Sequence, residues 1–167
     1  MQAKFLPAAA IVVALTLLSI LTGCKKEIDF QQPDTLYNFD VPLFGVGDKA
    51  FATTGLIKFR QASDTARIAT LDTYVVNLEP DHAYLLQRAV NPIADTTGCS
   101  SKAWLTLGLG PQPEAIHTDS HGEGHAELWR NLSAVAHGTS FHIHFQVVDS
   151  ITLDPVLVSD CHDFTVL

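Results

Sequence analysis

The chain has 167 residues, 47% of them hydrophobic, and carries 18 acidic against 10 basic side chains, a formal charge of −8. Such a balance excludes nucleic acid and anionic lipid headgroups as charge-driven partners, because phosphates need clustered Lys and Arg to neutralise them. Length sets the class: one domain, able to bury roughly 70% of its unfolded surface.

The first stretch is a leader. Lys4 is its only charge, and residues 8–20 are apolar apart from Thr16 and Ser19. That suits the hydrophobic region of a signal peptide and falls short of a comfortable membrane span. Leu21-Thr22-Gly23-Cys24 follows at once. It resembles the lipobox of bacterial lipoproteins, in which the leader is removed before the cysteine and the cysteine is acylated. The resemblance implies that residues 1–23 are a signal peptide, that Cys24 is the lipidation site, and that the remainder works in the cell envelope. A single transmembrane anchor is the rival, and it predicts no particular residue after the run. Residues 24–35 are polar and read as a flexible tether. Lys25 stands where the family's sorting rules place Asp for inner-membrane retention, which implies the outer membrane. The lysine-plus-acid cluster also resembles the export tags of surface-exposed lipoproteins.

Three cysteines would leave an odd thiol in an exported protein. Acylation of Cys24 leaves Cys99 and Cys161 to form a disulfide, worth about 4 kcal/mol on the chain-entropy model; two separate buried thiols are the alternative.

Residues 36–167 read as the folded domain. Residues 55–60 alternate, with Leu56 and Lys58 on one face and Ile57 and Phe59 on the other. Ser63-Asp64 turns into a longer run over 66–78. Leu78-Glu79-Pro80-Asp81-His82-Ala83-Tyr84 resembles the tyrosine corner of fibronectin-III-like sandwiches, which implies a hydroxyl capping an inter-strand turn. A polar loop at 91–102 carries Cys99. Pro111 and Pro113 break the chain after a strand at 103–108. Residues 114–119 and 125–132 flank a glycine-rich tip and read as a hairpin. Residues 140–148 form the clearest strand, with Phe141, Ile143, Phe145 and Val147 on one side and His142, His144 and Gln146 on the other. Segments at 153–158 and 164–167 complete the chain. Short strands with frequent turns and no 3.6-residue period predict a single antiparallel β-sandwich of immunoglobulin or fibronectin-III-like type.

Chemistry concentrates in histidine. All but one of the 8 lie beyond residue 116. His142 and His144 share a strand face at a spacing suited to one metal ion, and the hairpin places His117 and His125 outward together. If the two strands adjoin, four imidazoles converge on zinc or copper. The plainer reading is that these histidines cover a polar sheet face. Phe141-His142-Ile143-His144 is also similar to the copper-ligand strand of copper-zinc superoxide dismutases, but that family's bridging-histidine loop and later His-Gly-Asp segment are missing, so the activity is not implied. His121-Gly122-Glu123-Gly124-His125 lacks the spacing and helix of a zinc protease. The acids near the C-terminus have no calcium-loop spacing, and there is neither a nucleophile elbow nor a phosphate loop. Trp129, outward on the hairpin, is a candidate partner contact, with packing against a neighbouring loop as the alternative. The chain therefore reads as a non-enzymatic, lipid-anchored envelope protein that binds an envelope protein or extracellular ligand. A zinc or copper binding or delivery protein is the alternative, and an unrecognised hydrolase comes last.

Overall fold

A computed structural model describes residues 37–47, 53–62 and 65–167. The leader, Cys24, the tether and the Ser63-Asp64 turn lie outside the described residues. Among the described residues, twelve strands account for the regular structure: β1 (Tyr37–Gly45), β2 (Thr53–Gln61), β3 (Ile68–Val75), β4 (Ala83–Pro92), β5 (Leu105–Thr106), β6 (Gly108–Leu109), β7 (Gln112–Pro113), β8 (Ala115–His117), β9 (Gly124–Asn131), β10 (Ser140–Asp149), β11 (Pro155–Ser159) and β12 (His162–Thr165).

The all-β, mostly antiparallel class expected from the alternation is observed. The strands do not divide clearly into two sheets, however. One hydrogen-bonded path runs β5-β4-β10-β11-β1-β2-β3-β9-β6-β7, with β12 on β10 and β8 on β4. Residues 105–110 nearly close it into a barrel. Their first half pairs with β4, where the Leu107 N–H donates to the Leu86 carbonyl at 2.8 Å. Their second half turns to β9, where the Gly110 N–H donates to the Trp129 carbonyl at 3.0 Å. Sandwiches and small barrels both bury alternate residues, so alternation alone could not separate them.

Inward positions follow the pleat. Val41, Leu43, Ile57, Leu71, Leu86, Leu128, Phe145, Leu157 and Phe164 form one buried core. Phe59 holds its centre, with its ring 4.8 Å from Phe39, 4.9 Å from Phe164 and 6.4 Å from Phe145. On β10 the outer face is covered too. Gln146 is buried and donates to the Gln87 side chain at 2.7 Å, and Gln87 donates to Thr106 at 3.2 Å. That polar chain satisfies the amides across three strands.

Two tertiary expectations are met. Cys99 and Cys161 are disulfide-bonded, with Cα atoms 5.5 Å apart across 62 residues of sequence. Tyr84 accepts the Glu79 N–H at 3.0 Å, the hydrogen bond of a tyrosine corner. The same turn is pinned from the other side. Thr118 donates its hydroxyl to the Glu79 carbonyl at 2.6 Å, and Gly122, at φ 77°, approaches so closely that a Cβ would lie 2.2 Å from the Leu78 oxygen. Only glycine fits there. The expected hairpin at 114–132 is only partly formed: β8 pairs with β4 over three residues and meets β9 through a single bridge, Thr118 to Gly124.

Candidate functional site

The four histidines expected to converge do not. His117 pairs with Ala83 on β4, and the Ala83 carbonyl in turn accepts the Ser150 N–H just beyond β10. Its level is eight residues along β10 from His142, about 26 Å at about 3.3 Å per residue. The alternation assigned faces correctly but could not supply the β8–β4 register. His142 and His144 have separate partners instead. The His142 Nδ1 meets the Asp163 carboxylate at 2.6 Å. His144 donates through Nε2 to the Ser101 carbonyl at 3.1 Å, with its ring 4.7 Å from Trp104. His117 and His125 do line one surface groove beside Tyr74 and Glu123. Trp129 lies on the outward face, half-buried, with Gly110 packed on its ring.

His125 belongs to a different cluster, built by register across β2, β3 and β9. Lys58, Asp72 and Glu127 are paired in one row, and Leu56, Tyr74 and His125 in the next. The Asp72 carboxylate contacts His125 Nε2 at 2.5 Å and accepts the Tyr74 hydroxyl at 2.9 Å, while the Tyr74 ring stacks on His125 at 4.4 Å. Ligand atoms of Asp72, His125 and Glu127 all lie within 4.8 Å of one another. Burial pushes the Asp72 pKa up, but the hydrogen bonds from His125 and Tyr74, with the charges of His125 and Lys58, bring it below the ordinary value.

His162 has a different environment. Its ring is inward on β12 against Phe39, at 5.5 Å, and its buried Nε2 has no hydrogen-bond partner among the described residues. Burial lowers its pKa below 6.5 against the opposing charges of Asp160 and Asp163. The unfolded chain therefore binds this proton more readily than the folded one. The stability linked to the neutral ring is complete above pH 6.5 and is lost as pH falls through the lower folded value. Melting temperatures measured from pH 7 to 5 will fall, and His162→Leu will flatten that slope. An unchanged slope would show that other groups set it.

Alternation hid one further feature inside the barrel. Arg88 pairs with the inward Phe145, and Arg130 with the inward Ala69, so both arginines point to the interior. They line a partly enclosed cavity of about 170 Å³ with Leu71, Val90, Phe141 and Phe164 among its apolar walls and no carboxylate among the described residues that line it. The loop after β9 covers one side: Leu132 and Val135 line the cavity, and Arg67 holds this loop by donating to the Val135 carbonyl at 3.0 Å. Arg130 donates to the Gly110 carbonyl at 3.0 Å. Burial, and then the Arg130 charge, push the Arg88 guanidinium below its ordinary value. The signal was present in the sequence, as Leu86-x-Arg88-x-Val90 and Leu128-x-Arg130-x-Leu132, each placing an arginine on an apolar face.

Fold and cavity together define a small all-β domain, nearly closed into a barrel, with an interior cavity. No family model, no curated protein and no solved structure matches the chain.

Proposed function

We propose that the protein is a lipid-anchored, non-enzymatic binding protein of the cell envelope, held at the outer membrane by acylated Cys24, and that its barrel takes a small apolar ligand. The interior cavity carries this reading. Its lining is mainly aliphatic and aromatic, and at about 170 Å³ it is comparable to an engineered cavity of about 150 Å³ that binds benzene. The leader motif and the Cys99–Cys161 disulfide support an oxidising compartment outside the cytoplasm. The barrel is read as flattened, with β1-β2-β3-β9 facing β4-β10-β11 in an immunoglobulin or fibronectin-III-like manner. The Tyr84 hydrogen bond and the Phe59–Phe164 contact support that description.

Benzene added to the full chain will raise its melting temperature, since a ligand that binds only the folded state stabilises it by mass action. Ala69→Leu, which fills the cavity wall, will abolish the shift. No shift in the parent chain would overturn the reading. For the anchor, Cys24→Ser will release the protein from the membrane fraction; unchanged retention would favour a spanning helix.

A second reading, zinc or copper binding, rests on the outer cluster of Asp72, His125 and Glu127 rather than on His117, His142 and His144. Mutual donor distances within 4.8 Å favour it. The exposure of His125 and Glu127 and the neighbouring Lys58 charge disfavour it. Zinc or copper(II) binding that disappears in His125→Gln would support this reading; no binding would end it.

A further inference from the structure

We infer that the barrel cavity selects an amphipathic carboxylate, in which one aromatic ring or short aliphatic chain fills the apolar space and the acid group lies between Arg88 and Arg130. This inference rests on the binding reading above and names its ligand class. The placement of the two arginines carries it. They come from β4 and β9, the strands on either side of the segment at 105–110, and register with Phe145 and Ala69 turns both inward.

Two cations facing one apolar space repel each other and lose hydration, a cost normally offset by a paired acid. Here no carboxylate of the described residues forms an ion pair with either arginine. The shortage is local, because the chain as a whole has a surplus of acids. Several of those acids are engaged elsewhere: Asp40 with Arg60, Asp149 with His82, Asp72 with His125 and Asp163 with His142. The planar fork of an arginine matches a carboxylate through two parallel hydrogen bonds. A carboxylate entering from outside would thus relieve the repulsion and meet donors that are already in position.

The apolar part is bounded by volume. With about 170 Å³ available, the space admits a benzene-sized group of about six carbons and no long acyl chain. Phe141, paired with Phe164, lies four residues along β10 from Phe145, the partner of Arg88, so the ligand's tail lies toward Phe141 and Phe164 and its head toward the arginines.

Three probes share a phenyl ring and two further carbons and differ in the polar group: phenylacetate, 2-phenylethanol and phenethylammonium. Calorimetric titration of the full chain should show phenylacetate binding at least tenfold more tightly than the alcohol, with the ammonium weakest. Arg88→Met keeps most of the stem's volume and should lower phenylacetate affinity at least tenfold, leaving the alcohol unchanged. Arg130→Met provides the same test if the first variant does not fold. Equal affinity for acid and alcohol, or undiminished acid binding in a folded variant, would overturn the charge selection while leaving apolar binding intact. Failure of all three probes and of benzene would overturn the binding reading itself.

Discussion

Serine at both Cys99 and Cys161 will lower the unfolding free energy by about 4 kcal/mol and the melting temperature by roughly 15 °C. The cross-link spans 62 residues, so its loss releases a large amount of chain entropy into the unfolded state. It also ties the polar loop after β4 to the junction of β11 and β12, where β10 changes partner from one to the other. That loop has weaker attachments of its own: the Ser101 N–H donates to Asn91 at 2.9 Å, and its carbonyl receives His144. Each such bond contributes about 1 kcal/mol, so the loop stays near its place while global stability falls. Urea denaturation of the double variant against the oxidised parent measures the difference. A loss below about 1 kcal/mol would mean that these hydrogen bonds, and not the cross-link, determine the loop's contribution.

Phe145→Ala will cost about 3 kcal/mol, the lower part of the range for a buried phenylalanine. The ring is 1% exposed and sits between Ile143 and Val147 on the inner face of β10. Its position on the cavity wall is why the lower part applies: one side already lacks packing partners, so fewer contacts are lost. The same substitution enlarges the cavity. Benzene should consequently restore more stability to the variant than it adds to the parent. Val158→Ala, at a site 37% exposed on β11, is the control and will change stability by less than about 0.5 kcal/mol. Equal effects at both sites would contradict the assignment of Phe145 to the core.

Much of the fold was legible because local rules governed it. Alternation at 55–60 put Ile57 and Phe59 on one face, and alternation at 140–148 put Phe141, Ile143, Phe145 and Val147 on one face; both faces pack into the core. Pairing of Cys99 with Cys161 followed from counting thiols once Cys24 was set aside. Tyr84 was recognisable from its spacing to Leu78 and Pro80. What escaped was non-local. Whether the strands form two sheets or one ring depends on where residues 105–110 find their hydrogen bonds, and no periodicity encodes that. The Asp72–His125 contact depends on the β3–β9 register, across 53 residues of chain. His117 was placed on the correct face and at the wrong distance from His142, because β8 lies mainly on β4. Arg88 and Arg130 were readable as interruptions of apolar faces, yet their convergence required both β4 and β9 to be in place.

The union of β1 with β11 has a consequence for the order of events during folding. Leu43 pairs with Ser159, and Gly45 with Leu157, so the ring joins residues from near the two ends of the domain. No N-terminal fragment can complete it until β11 has left the ribosome. Such long-range closure carries a loop-entropy cost before any contact compensates it, which places folding in the slow, millisecond-to-second regime. The barrel therefore stays open through the synthesis of β2 to β10, and β11 closes it.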